Sequence, residues 1–71
     1  MIVDNYASAI KELRIKMNLS QQGMAQLLGV SFSSINRWEN SVHEPTLKVK
    51  RKLRSLFVEY DIKINWWVVK S

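Results

Sequence analysis

The chain has 71 residues, a formal net charge of +5, an isoelectric point near 9.9 and no cysteine. That length allows one domain with one small core, and the absence of Cys excludes disulfides and thiolate metal sites. The basic balance favours polyanionic partners, while no apolar run approaches the ~20 residues that span a bilayer.

The first predicted helix runs from about Asp4 to Met17. Tyr6, Ile10, Leu13 and Met17 fall on one stripe. Asp4 or Asn5 starts it and Asn18 stops it. Ser20 caps the second helix, in which Met24, Ala25, Leu27 and Leu28 follow at helical spacing. Gly29 ends that helix, because glycine enters the left-handed region without steric cost. Ala25 is small where two helices are to cross closely. Gly23 costs about 1 kcal/mol of helix propensity relative to Ala.

Ser31 caps the third helix. Ile35 and Trp38 lie three apart and form its buried face. Phe32, Ser33, Asn36 and Arg37 fall on the opposite side. Either Asn40 or Ser41 takes the turn that follows, and Asn tolerates the left-handed region better than Ser. The segment Ser41 to Thr46 is a loop, since Pro45 disfavours helix at Glu44. Thr46 is placed to cap the fourth helix, from about Leu47 to Tyr60, with Val49, Leu53, Leu56, Phe57 and Tyr60 on its apolar stripe.

From Asp61 to Ser71 the composition turns β-branched and aromatic, with Ile62, Ile64, Trp66 and Val68 alternating with more polar positions. This reads as an extended tail, with no other strand evident for it to pair with. Two readings stay open. The tail pairs with the same segment of a second copy, giving a homodimer, or Trp66 and Trp67 pack back onto the first and fourth helices. Residues 1–60 are thus expected to form the domain and residues 61–71 the tail.

Two short helices joined by a tight glycine turn, the second with a free polar face, have the layout of a helix-turn-helix. A plain helical hairpin with a solvated outer face fits the periodicity equally. The residues favour the first reading. Leu19-Ser20-Gln21, Leu28-Gly29-Val30-Ser31 and Ser34-Ile35-Asn36-Arg37-Trp38-Glu39-Asn40 at this separation resemble the phage-repressor and Cro-type family, also called the xenobiotic response element family. The resemblance covers about Ile10 to Leu56. It implies an all-α, four-helix, lambda-repressor-like DNA-binding domain, here with a short extended C-terminal tail.

The resemblance further implies that Phe32, Ser33 and Arg37, with Asn36 nearby, meet base edges. Arg37 suits the O6 and N7 of guanine, and Phe32 either a thymine methyl or a packed position against the second helix. It places Gln21 against phosphate, its side chain and neighbouring N–H groups facing outward. Ser31 and Asn40, at the two ends of the third helix, and the cations Lys48 and Arg51 are further phosphate candidates. Glu39 is expected to pair with Arg14. Gly23 stands where the family often has Glu, and Ser41 where Gly is usual.

The expected function is sequence-specific binding of double-stranded DNA by a cytoplasmic transcriptional repressor acting as a dimer. The alternatives are an antitoxin-like or accessory interaction module whose tail binds a protein, and the DNA-binding part of a longer regulator. One His, no Cys, scattered carboxylates and no Gly-rich phosphate loop argue against an enzyme, a metal site or a cofactor.

Overall fold

Four helices follow one another in the computed structural model, which describes residues 2–3 and 5–64: α1 (Tyr6–Lys16), α2 (Gln21–Leu28), α3 (Phe32–Glu39) and α4 (Leu47–Glu59). Three of them start on a side-chain cap that satisfies an orphan backbone donor. Asn5, Ser20 and Ser31 accept hydrogen bonds from the N–H groups of Ser8, Gly23 and Ser34. Thr46 occupies the same place before α4 but makes no such bond. The expected cap is therefore one of position only.

All four helices end the same way. A residue in the left-handed region donates its N–H to the carbonyl three back, and the next residue donates to the carbonyl five back. The pairs are Asn18 to Ile15 and Leu19 to Arg14, Gly29 to Gln26 and Val30 to Ala25, Ser41 to Trp38 and Val42 to Arg37, and Asp61 to Val58 and Ile62 to Phe57. The φ angles are 57° at Asn18, 70° at Gly29, 62° at Ser41 and 56° at Asp61. In every case the residue after the turn is apolar. Ser41, not Asn40, takes the turn after α3. Asn40 stays at φ −97° and its amide donates to the Asn36 carbonyl.

The core joins Ala9, Ile10 and Leu13 of α1, Met24, Ala25 and Leu28 of α2, Ile35 and Trp38 of α3, and Val49, Leu53 and Phe57 of α4. Helix α1 lies at the centre and packs on both α3 and α4, while α2 packs on α3. Tyr6, Met17, Leu56 and Tyr60, expected on apolar stripes, are only partly buried at the margin. Leu27 is half exposed because it falls on the outer side of α2. A Cβ on Gly23 would sit 3.3 Å from Leu19 Cδ2 and 3.4 Å from Ser20 Oγ. The α2 entrance is therefore built closely around a residue with no side chain.

The expectation that the tail lacks a second strand is corrected. Strand β1 (Ile2–Val3) pairs in parallel with strand β2 (Lys63–Ile64), in the register Ile2 to Lys63 and Val3 to Ile64. Ile62 and Ile64 are buried in the core and Lys63 is exposed, as alternation requires. The chain thus remains an all-α domain, with one two-residue pairing that ties its ends together. The expected roles of Trp66, Trp67 and Val68 lie outside the described residues.

Candidate nucleic-acid interface

Helix α3 has two unlike faces. Ile35, Trp38 and Glu39 are buried, whereas Phe32, Ser33, Asn36 and Arg37 are exposed. The inward residues fix the helix against α1 and α2, and the four expected base-reading residues come together on its outer side. Phe32 is 46% exposed, which rules out full packing against α2. Arg37 makes no ion pair among the described residues, so its guanidinium is available to an external acceptor.

The buried carboxylate of Glu39 anchors this face. Its Oε2 accepts from Arg14 Nε at 2.8 Å, and its Oε1 accepts from Arg14 Nη2 at 3.2 Å. Gln21 Nε2 donates to the same Oε1 at 3.1 Å. Arg14 Nη1 also donates to the Leu19 carbonyl at 3.1 Å. Hydrogen bonding to Glu39, helped by its charge, holds the Arg14 guanidinium above its ordinary range although burial opposes this. One carboxylate therefore ties together α1, the start of α2 and the end of α3. The expected Arg14–Glu39 pair is present with two-pronged geometry, the arrangement in which such a pair carries both energy and orientation.

Gln21 departs from its expected pose. Its side chain is half-buried and turned toward Glu39 rather than wholly outward. The reason is chemical: a buried carboxylate with spare lone pairs is a better acceptor than bulk water offers an amide. One amide hydrogen of Gln21 remains unspent. At the α2 N-terminus, Ser20 satisfies Gly23, and the N–H groups of Gln21 and Gln22 precede the first intrahelical bonds.

Asn40 also has a structural engagement that sequence reasoning missed. Its Nδ2 donates to the Asn36 carbonyl at 2.8 Å and lies 3.1 Å from Asn36 Oδ1. The amide hydrogens expected for phosphate are thus spent inside α3. The i, i+4 spacing of two Asn residues is the signal that foretells it. Ser31 Oγ caps α3 and bonds to Ser34 Oγ at 3.0 Å.

Lys48 and Arg51 are exposed on α4, with Lys52 beside them. Lys50 is committed elsewhere, 2.9 Å from Glu44 Oε1 and 4.9 Å above the Tyr6 ring. The bond to Glu44 raises the Lys50 ammonium above its ordinary range. No group of three or more metal-ligating side chains gathers among the described residues. Among them, no helix is long and apolar enough to cross a membrane.

A family model described as helix-turn-helix matches residues 10–57, from the core of α1 to the last turn of α4. No curated protein and no solved structure matches the chain.

Proposed function

Because this chain belongs to the Cro/C1-type helix-turn-helix family, whose motif binds DNA, we propose that it is a transcriptional repressor that reads an operator half-site with α3 in the major groove. The observation that carries the reading is the division of α3. Its inner face is locked by core packing and the Arg14–Glu39 pair, and its outer face offers Phe32, Ser33, Asn36 and Arg37 on a rigid support.

Arg37 donates to guanine O6 and N7, Phe32 lies against a thymine methyl, and Ser33 and Asn36 complete the contact to base edges. The remaining amide hydrogen of Gln21, the first N–H groups of α2, and Ser31 meet phosphates on one side. Lys48 and Arg51 approach them from α4. Two copies bind a two-fold operator whose half-sites lie one helical turn, ~34 Å, apart.

The test is selection from random duplexes, followed by binding measurements on the winners. Enrichment of a two-fold sequence is expected, and Arg37→Ala is expected to lower affinity for it by about 1–3 kcal/mol while relaxing one base pair. The absence of any enriched sequence, or an equal loss on every duplex, contradicts the reading. Placing the selected sequence over a reporter promoter then tests repression, which requires expression to fall when the protein is present.

A further inference from the structure

We infer that Asn40 sets the base preference of Asn36, turning it into a donor that favours the keto bases guanine and thymine over adenine. The inference rests on the DNA-binding reading above and specifies which base edge the protein recognises.

The orientation of both amides follows from one unambiguous partner. The Asn36 backbone carbonyl is only an acceptor, so the Asn40 atom 2.8 Å from it is the amide nitrogen, Nδ2. That nitrogen carries only donors. The Asn36 side-chain atom 3.1 Å from it is therefore the acceptor, Oδ1. The oxygen of Asn36 is drawn back toward the C-terminal end of α3, which leaves its NH₂ group as the free end on an exposed residue.

An Asn side chain reads adenine by presenting both ends together, the oxygen to N6–H and the nitrogen to N7. Here the oxygen keeps a second lone pair but is turned back toward Asn40, away from the free end of the amide, and the two-ended contact is lost. What remains is a donor. It matches the O6 and N7 of guanine or the O4 of thymine; on adenine it meets N7 alone, beside an opposing N6 amino group, and it opposes the N4 amino group of cytosine. The neighbouring Arg37 is also donor-only. Side by side on α3, the two make a surface that fits a strand rich in keto bases. Asn40 is thus a positioning residue that acts through Asn36.

The full chain is tested by selection from random duplexes in four forms: wild type, Asn36→Ala, Asn40→Ala and Asn40→Asp. The position read by Asn36 is the one whose preference Asn36→Ala flattens. At that position the wild type is expected to favour guanine or thymine by about fivefold or more. Asn40→Ala frees the Asn36 oxygen, so adenine is expected to gain. Asn40→Asp sets an acceptor against the acceptor-only Asn36 carbonyl, so the carboxylate swings away and both bonds to Asn36 are lost. The Asn36 oxygen is again free, and adenine is expected to gain as it does in Asn40→Ala. A structural role alone would weaken all sequences together and move no single position.

Wild-type selection of adenine or cytosine at that position overturns the proposal, as does a preference unchanged in both Asn40 variants. So does a position-specific profile that Asn36→Ala leaves intact. If no duplex is enriched by the wild type, the proposal falls together with the DNA-binding reading. Enrichment with the wrong base, by contrast, overturns the orientation of Asn36 alone.

Discussion

Glu39 is the side chain on which the proposed recognition surface depends. Its side chain is 3% exposed, and its carboxylate receives N–H groups from Arg14 and Gln21. Removing one partner of a fully buried pair costs about 3–5 kcal/mol, because the other charge is left without compensation. The Arg14 side chain is 20% exposed, so water recovers part of that loss. Glu39→Ala is accordingly expected to lower stability by about 2–3 kcal/mol, measured by urea unfolding. It also releases Gln21 and the end of α3, so DNA affinity is expected to fall at denaturant-free conditions even while the domain stays folded. An unchanged melting curve would show that the network contributes nothing to the fold. At this scale the sequence was informative about identities and less so about poses. The types at positions 32, 33, 36 and 37 marked the outer face, and their exposure follows from the 100° step of the helix. Nothing local foretold that Gln21 turns inward, because its partner lies 18 residues away on another helix.

The four helix ends show how far element boundaries follow from short-range chemistry. Each pairs a left-handed residue with an apolar successor: Asn18-Leu19, Gly29-Val30, Ser41-Val42 and Asp61-Ile62. The glycine and the asparagine were legible as stops. Of the two candidates after α3, residue preference favoured Asn40, whereas Ser41 takes the left-handed position. A non-glycine residue in the left-handed region costs about 1–2 kcal/mol. Ser41 is exposed, and its side chain makes no hydrogen bond among the described residues. Ser41→Gly removes the strain but frees the unfolded chain, so a net gain of about 0.5–1 kcal/mol is expected. That corresponds to a rise in Tm of roughly 2–8 °C for a domain of this size. Gly29→Ala is the converse test. A Cβ there meets nothing within 4 Å, so only the backbone at φ 70° resists it. A loss of about 1–2 kcal/mol is expected, and a neutral result would show that the turn relaxes.

For the whole molecule, charge and chain closure decide the behaviour. With a net charge of +5 and Lys48 and Arg51 exposed on α4, binding to DNA is expected to weaken steeply with salt as counterions return to the phosphates. Lys48→Gln is expected to reduce the slope of log K against log salt by about 1 and to weaken all sequences alike. An unchanged slope would remove Lys48 from the interface. The helical arrangement was readable from periodicity, but the closure of the chain was not. Ile2–Val3 is too short to show any period, and its partner Lys63–Ile64 lies at the far end of the sequence. Alternation marked Ile62 and Ile64 as a strand without saying what the strand joins. The structure turns both side chains into the core, 1% and 0% exposed, and bonds the Ile62 N–H to the Phe57 carbonyl. Deleting the chain after Asp61 therefore removes two core residues, the parallel pairing and the last bond that closes α4. Truncating one fully buried Ile to Ala costs about 2–5 kcal/mol, and a small domain holds only about 5–15 kcal/mol in all. The truncated chain is expected to be largely unfolded at 25 °C by circular dichroism, with Ile64→Ala giving an intermediate loss. If the truncated chain instead melts as the full chain does, the two isoleucines are not core residues and the ends of the molecule are not tied together.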